Sequence, residues 1–327
     1  MPQAPIRSLF AALVATACLL SGASAWAQAG ADWPKAKPVN IVVGFGPGAF
    51  TDVIARVVAQ KLGEITGGSF VVENKPGAGG NIATGQVKRA APDGYTILVH
   101  SVAYSVNPSL YPNAGYDPIK DFVPLALGPR TPNILTVHPN TPAKDLKELV
   151  ELARTQKLTY ASSGIGTTTH LSMERLKAAA KVDIVHVPYQ PAQAVGAVVA
   201  GHTSMSSTSM PPAVPQIKAG KLRAIAVTSA KRNPLLPEVP SITEFGYKDF
   251  DDYTWVGLFV PAGTPPALVE RINAEINKAM ELPESKEKFV SLGMESSRNT
   301  SAQFGAFLRD EVSKWAEVVK STGAKVE

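Results

Sequence analysis

Short apolar runs rich in β-branched residues alternate with segments of helical periodicity along most of the chain. Residues 39–45 form the first such run, and Thr51 precedes apolar side chains that recur at helical spacing. Thr51 is therefore predicted to cap a helix, as is Thr167 or Thr168 farther along the chain. Alternation of this kind predicts an α/β fold with mainly parallel strands, because parallel strands need a crossover helix between them.

The length of the chain predicts two lobes. It has 327 residues, more than one compact domain usually contains. We expect lobe 1 to comprise residues 28–130 and 254–327, with residues 131–253 inserted as lobe 2. The chain would then cross between the lobes near Arg130 and again near Tyr253. Two crossings make a hinge, and a cleft between two lobes accommodates a small ligand.

Residues 1–27 have the pattern of a secretory signal peptide. Arg7 precedes a short apolar stretch that ends at Leu20, and Ala25-Trp26-Ala27 supplies small residues for cleavage. We expect cleavage after the second of these alanines and export to the periplasm. A lipoprotein anchored through Cys18 is the alternative. Cleavage after residue 27 would remove this cysteine, the only one in the chain, and exclude disulfides.

Charge and residue patterns argue against several classes of function. The net charge is +5, and the basic residues are scattered rather than gathered in a stripe, so no nucleic-acid partner is expected. The five histidines lie far apart, and we predict no metal site and no cofactor. No G-x-S-x-G motif is present, and no catalytic residue is predicted. Asp251 and Asp252, near the second crossing, are expected to be solvated.

Three glycine-rich loops each connect a predicted strand to a predicted helix, at residues 44–51, 76–81 and 162–169. Ligands bind open α/β sheets at the carboxyl ends of strands. Glycine there lets a ligand approach the backbone, and the helix start that follows presents N–H groups to an anion. A single loop of this kind can also be explained by backbone geometry alone. The prediction of a binding cleft therefore depends on two such loops lying in opposite lobes.

The predicted ligand contacts come from these loops and from nearby strand ends. Backbone groups at residues 48–51 would hold one carboxylate, and those at residues 164–168 would hold a second. Phe50 and Tyr104 would flank the ligand body, although both rings could instead pack inside their own lobe. The predicted ligand-binding residues are Gly48, Ala49, Phe50, Thr51, Ser101, Tyr104, Ser163, Gly164, Gly166, Thr167, Thr168, Tyr189 and Thr208.

Eight segments match the motifs of a known protein family, at residues 43–52, 71–81, 91–96, 116–118, 159–164, 186–189, 217–224 and 260–265. They resemble the Bug family, the periplasmic substrate-binding proteins of tripartite tricarboxylate transporters. The resemblance implies a two-lobed periplasmic binding protein fold, type II-like, with two hinge strands. It also implies a carboxylate ligand held by backbone amides, hydroxyls and waters, and the membrane subunits of such a transporter as partners.

The chain departs from the family pattern at residues 46–50, at Gln190-Pro191 and at Thr208, where relatives often carry an aspartate. Without that carboxylate, a ligand ammonium group would be desolvated without an ionic partner, at a cost of several kcal/mol. We therefore expect a monomer that captures an amine-free carboxylate for uptake, with an aromatic mono- or dicarboxylate placed ahead of an aliphatic one. A binding protein that serves a signalling partner, and an enzyme on the same fold, remain alternatives.

Overall fold

The computed structural model describes residues 32–248 and 250–324. The predicted signal peptide and the alternative lipid anchor at Cys18 lie outside these residues. Among the described residues, no helix is long and apolar enough to cross a membrane. Within the same part of the chain, no three His, Cys, Asp or Glu side chains are grouped as metal ligands.

Strands and helices alternate in the described residues as the sequence pattern predicts. The strands are β1 Val39–Val43, β2 Phe70–Asn74, β3 Thr96–Ser101, β4 Phe122–Val137, β5 Leu158–Ser162, β6 Ile184–Pro188, β7 Met205–Ser209, β8 Arg223–Val227 and β9 Tyr253–Pro261. The α-helices are α1 Phe50–Thr66, α2 Asn81–Lys88, α3 Ala103–Leu110, α4 Leu146–Thr155, α5 Thr168–Ala180, α6 Pro191–Val199, α7 Met210–Lys218, α8 Pro266–Glu281, α9 Pro283–Ser291 and α10 Ser301–Thr322. Short 3-10 helices occur at Ala78–Gly80 and Ile242–Phe245.

One sheet of mixed strand direction runs through the molecule, in the order β2-β1-β3-β9-β4-β7-β5-β6, with β8 also paired to β4. Strand β1 is parallel to β2 and β3, and β5 is parallel to β6 and β7. The expectation of mainly parallel strands is wrong at the centre, where β4 pairs antiparallel with β7, β8 and β9. Direction reverses there because β4 carries the chain out of the first half and β9 carries it back.

Strand β4 connects the two halves of the sheet. Its residues 122–132 pair with β9, whereas its residues 133–137 pair with β7 and β8. We call the part built on β1–β3 the first lobe and the part built on β5–β8 the second lobe. The protein therefore has an α/β fold with two lobes, and the chain crosses between them twice. This arrangement places the ends of β1 and β5 opposite each other.

Each lobe has its own apolar core, which holds the loops of the cleft in place. In the first lobe, α1 buries Ile54, Val58 and Leu62, four residues apart, against the strands. Each such side chain contributes roughly 1.5–3 kcal/mol when fully buried. In the second lobe, Leu149 and Met173 join a separate core beneath β5 and β7. The helix starts that face the cleft are therefore anchored by packing several turns away.

One predicted helix cap differs in the structure and another is confirmed. Helix α1 begins at Phe50 with Ala49 as its N-cap, so Thr51 lies inside the helix rather than capping it. The predicted cap Thr167 is confirmed, since its side chain accepts a hydrogen bond from the amide of His170. Three helices close the described part of the chain, because Leu282 is extended and the proline after it starts α9.

Asp252 is buried beside the second crossing, and the expectation that it is solvated is wrong. Its carboxylate accepts hydrogen bonds from Arg175 at 2.7 Å and from Ser172 at 2.9 Å. Lys314 of α10 lies 3.5 Å from the same carboxylate. Opposite charge and hydrogen bonds offset the desolvation of the buried carboxylate. This cluster joins α5 of the second lobe to α10, which packs on the first.

Candidate ligand-binding pocket

A narrow pocket of about 30 Å³ lies between the lobes, where the starts of α1 and α5 meet. This space holds about one or two water molecules, so the lobes must move apart for an acid to enter and lie between them. We call this pocket the inner chamber. Its lining residues are Phe45, Ala49, Phe50, Thr51, Ser101, Val102, Ser163, Thr167, Thr168, Thr169, Pro191, Ser209 and Thr254. None of these side chains carries a charge, so an anion bound here would be held by neutral donors.

In the first lobe, two of the four predicted backbone donors are already engaged. The amide of Gly48 donates to Asp52 Oδ2 at 2.9 Å, and the amide of Ala49 donates to the Gly46 carbonyl at 3.2 Å. Helix geometry leaves the next two amides, at Phe50 and Thr51, without an intrahelical acceptor. The donor set predicted at residues 48–51 is therefore corrected to these two amides.

Asp52 holds the first-lobe loop in this shape. Burial raises the pKa of Asp52, but hydrogen bonds from Arg56, the Gly48 amide and Asn74 outweigh it and leave the pKa below its ordinary value. The Asn74 amide also donates to the Phe45 carbonyl at 2.8 Å. The ionised carboxylate thus ties the loop to helix α1 and to the end of β2.

In the second lobe, the loop before α5 uses most of its amides internally. The Ser163 amide donates to Thr169 Oγ1 at 3.0 Å, and the Gly164 amide donates to Ser162 Oγ at 3.1 Å. The Gly166 amide donates to His170 Nδ1 at 3.3 Å. The donors predicted at residues 164–168 are therefore corrected to the first-turn amides of α5, at residues 168–169.

Two histidines stack beneath this loop. The rings of His170 and His186 lie 4.2 Å apart between centroids, and His186 Nε2 lies 2.6 Å from Ser162 Oγ. Burial lowers the pKa of His170 to about 4, and burial together with His170 lowers the pKa of His186 to about 3. Both rings are therefore neutral near pH 7 and order the loop through hydrogen bonds. Sequence reasoning missed this pair, because the two histidines come from different elements.

Two hydroxyls that line the inner chamber have no partner among the described residues. Thr51 Oγ1 and Ser163 Oγ are both buried without a hydrogen bond. An unsatisfied buried polar group costs about 1–3 kcal/mol, so such groups call for an explanation in a native structure. They stand beside the free amides of α1 and α5. A bound acid would satisfy both hydroxyls.

A larger space of about 340 Å³ adjoins the inner chamber, and we call it the outer chamber. The two share Phe45, Ser163 and Thr167. The remaining lining of the outer chamber is polar or glycine-rich: Gly44, Gly77, Ala78, Gly79, Gly80, Tyr111, Gly164, Ile165, Pro188, Tyr189, Gln190 and Gln193. Glycine is required at residue 80, because a Cβ there would overlap the buried ring of His100.

The predicted site residues divide among several places. Seven line the inner chamber: Ala49, Phe50, Thr51, Ser101, Ser163, Thr167 and Thr168. Two line the outer chamber: Gly164 and Tyr189. Gly48 turns its amide to Asp52, and Gly166 packs against Leu110 of the first lobe, where a Cβ would overlap that side chain.

Tyr104 and Thr208 lie away from the inner chamber. Tyr104 is fully buried in the first-lobe core, where its ring stacks on Phe259 at 4.2 Å and its hydroxyl donates to the Pro118 carbonyl. The expectation that Tyr104 forms a wall of the cleft is therefore corrected. Thr208 is buried on β7 opposite Ile134, whereas the adjacent Ser209 lines the chamber. Successive strand residues point to opposite faces, which separates the two.

Sequence reasoning missed several lining residues. Ser209 could have been found, because it ends β7 and is the N-cap of α7. Thr254 follows the second crossing, and its hydroxyl bonds to that of Thr168 across the lobes. Phe45 and Pro191 carry no polar atom in their side chains, and only the departure from the family pattern at Gln190-Pro191 distinguished the proline.

Residues 54–324 match the family model described as tripartite tricarboxylate transporter family receptor. The chain belongs to this family. The resemblance to Bug proteins is confirmed by BugT of Bordetella pertussis, which is 33% identical over 306 residues, 92% of this chain and 94% of that protein.

Two solved structures with ligands share this family's fold. An R. palustris protein solved with adipate is 33% identical and superposes with a TM-score of 0.86, covering 90% of this chain and 100% of that one. MatC from Rhodopseudomonas palustris, with bound malate, is 32% identical with a TM-score of 0.82, covering 88% and 100%. The predicted two-lobed fold of periplasmic binding proteins is confirmed.

Proposed function

We propose that this family member captures a small, amine-free carboxylate in the periplasm and delivers it to the membrane subunits of a tripartite tricarboxylate transporter. The observation that carries the proposal is the inner chamber itself. Four first-turn amides and two unpartnered hydroxyls meet there between the lobes, in a lining without charged side chains. Helix starts favour negative charge, and their N–H groups suit a carboxylate.

The absence of a charged lining side chain supports the amine-free part of the proposal. An ammonium group in the inner chamber would lose its water and face amide hydrogens, apolar rings and neutral hydroxyls rather than a carboxylate. That desolvation costs several kcal/mol. Asp52, the acidic residue next to the chamber, is already bound by Arg56 and Asn74. An amino acid is therefore a poor ligand for this chamber.

The body of the ligand would lie against apolar walls. Phe45 and Phe50 both line the inner chamber, together with Val102 and Pro191. An aromatic ring packed on such side chains gains about 0.5–1.5 kcal/mol beyond its area burial. Relatives solved with adipate and malate support a small dicarboxylate as ligand. We propose mono- and dicarboxylates, aromatic acids among them, as the ligand class.

A thermal-shift screen of the protein that begins at Gln28 tests this proposal. Matched acids that differ by an amine, such as succinate against aspartate and glutarate against glutamate, separate the two classes, and benzoate and phthalate add aromatic bodies. A ligand at 100 times its dissociation constant stabilises by about 2.7 kcal/mol. We expect stabilisation by amine-free acids alone. Tight binding of aspartate or glutamate, with no response to the amine-free acids, would overturn the proposal.

The hydrogen bond between Ser162 and His186 is the one observation that favours an enzyme instead. Ser162 is completely buried, and its hydroxyl also accepts from the Gly164 amide. We propose that this pair shapes the loop and does not react. Mass spectrometry of a bound acid after long incubation should recover it unchanged. Any conversion of the acid would favour the enzyme.

A further inference from the structure

Helix α6 begins at the wall of the inner chamber with a proline. Pro191 is the first helical residue after the N-cap Gln190, and it is buried and lines the chamber. Proline has no N–H, so this helix start presents an apolar ring where another residue would present a donor. The amide of Gln193 is bonded to the Gln190 carbonyl at 2.9 Å. Ala192 between them is exposed and does not line the chamber.

Helix α7 repeats this chemistry beside α6. Its N-cap Ser209 lines the chamber, but the second and third residues of its first turn are Pro211 and Pro212. The four helix starts around the chamber therefore form two unlike sides. The starts of α1 and α5 keep the amides of residues 50–51 and 168–169. The starts of α6 and α7 have prolines, without an N–H, at residues 191, 211 and 212.

This asymmetry separates a place for the carboxylate from a place for the rest of the ligand. The unpartnered hydroxyls of Thr51 and Ser163 belong to the donor-rich side, next to the amides that would hold the carboxylate. A hydroxyl on the ligand body that faces Pro191 would lose its water and meet the proline ring, whereas the Ser209 hydroxyl lies at the neighbouring start of α7. An unpaired polar group in such a place weakens binding.

We propose that Pro191 makes the inner chamber selective for carboxylic acids without a hydroxyl group on the part of the ligand body that faces the start of α6. The inference rests on the proposed function, because it needs a carboxylate held by α1 and α5. It goes further by naming which acids are rejected and which residue rejects them. Succinate would be preferred to malate, adipate to 2-hydroxyadipate, and phenylacetate to mandelate.

Calorimetric titration of these three pairs tests the proposal. Wild-type protein should bind the acid without the hydroxyl about tenfold or more tightly than its partner, since an apolar wall discriminates against an added hydroxyl by roughly that much. Two variants then probe the cause. Pro191→Ala restores the N–H and opens space, whereas Pro191→Val restores the N–H and keeps an apolar bulk. Both variants should lower, by several-fold, the ratio of the affinity for the acid without the hydroxyl to the affinity for its hydroxylated partner.

Pro266→Ala is the matched control, because Pro266 also starts a helix but is exposed at the start of α8. It should leave every ratio unchanged, and thermal melts check that each variant is folded. Equal or tighter binding of the hydroxylated acids by wild-type protein would overturn the role of Pro191 while leaving carboxylate capture intact. If Pro191→Ala lowers the affinity ratio between the paired acids and Pro191→Val does not, the missing N–H is not the cause of the selectivity. Failure to bind any of the six acids would count against the proposed function as well.

Discussion

The two helix starts that face each other across the inner chamber are built differently. The first-lobe start has no side-chain cap, and its shape depends on one carboxylate, Asp52, which bonds to the Gly48 amide. The second-lobe start is capped by Thr167 and supported by a network that reaches His186 through Ser162. Each has its first two helical amides available for a ligand. Each loop therefore consumes its own donors to fix its shape.

This difference shows that a glycine-rich loop is not itself the anion site. In both lobes the loop amides are bonded within the protein, and the donors come from the helix that follows. The first lobe is held by an ionised group with a lowered pKa, the second by neutral histidines. The two helix starts should therefore lose their structure under different conditions.

The largest effect is expected at Gly166, where the second-lobe loop packs on the first lobe. Gly166 has a φ of +79°, and a Cβ there would overlap Leu110 of α3. Gly166→Ala should force this loop away from the first lobe and lower ligand affinity more than tenfold, about 1.4 kcal/mol or more. Calorimetry with the best acid from the screen measures the loss.

Gly201→Ala is the control for backbone strain. Gly201 has a φ of +73°, but nothing lies within 4 Å of its added Cβ. Both alanines carry the penalty of a left-handed conformation, roughly 1 kcal/mol. Only Gly166→Ala should impair binding. Equal affinity in the two variants would show that contact between the lobes at this loop does not matter.

The next effect separates binding from stability at the first-lobe start. Thr51→Val removes a buried hydroxyl without a partner, so the free protein should melt at the same or a higher temperature. Affinity should nevertheless fall about five- to tenfold, because a bound acid loses one donor. Thr208→Val removes another unpartnered buried hydroxyl, but on the face of β7 opposite to Ser209. It should leave affinity unchanged, and a matching loss there would place Thr208 in the site after all.

A pH series tests the second-lobe start. The folded pKa values of His170 and His186, about 4 and 3, lie below the ordinary value of 6.5. Between these values the unfolded chain binds protons that the folded chain does not, so stability is full above pH 6.5 and decreases as pH falls. Each buried histidine contributes up to about 1.4 kcal/mol per pH unit, less for the partly exposed His186.

Thermal melts from pH 7.5 to 4.5 measure this slope, and His186→Gln should flatten it. Asp52 acts in a separate window, because its pKa lies below the ordinary 3.8 and its contribution is lost only under more acidic conditions. The two starts are thereby distinguished by pH. An unchanged slope in His186→Gln would contradict the role assigned to the histidine pair.

The smallest effect concerns salt. No lining side chain of the inner chamber carries a charge, so screening has little to weaken. We expect affinity for a monocarboxylate to change less than about threefold between 50 and 500 mM NaCl. A decrease of tenfold or more would indicate that a surface cation contributes to one side of the cleft.

The parts of the site predicted from sequence are those that depend on local chemistry. Thr167 as an N-cap and the strand–loop–helix order follow from neighbouring residues, which is why they are confirmed. The errors at Tyr104 and Thr208 concern which face a side chain occupies, and that depends on packing between distant elements. Asp252 was misjudged for the same reason, since its partner Arg175 lies 77 residues away.

A crystal structure of the mature protein with the tightest-binding acid tests the central claim most directly. We predict one carboxylate of the ligand within about 2.7–3.1 Å of amides from both helix starts, at residues 50–51 and 168–169. The Thr51 and Ser163 hydroxyls, unpartnered in this structure, should also bond to the acid or to a water that it holds. A carboxylate seated in the outer chamber against residues 77–80, or paired with an arginine or lysine, would contradict the account.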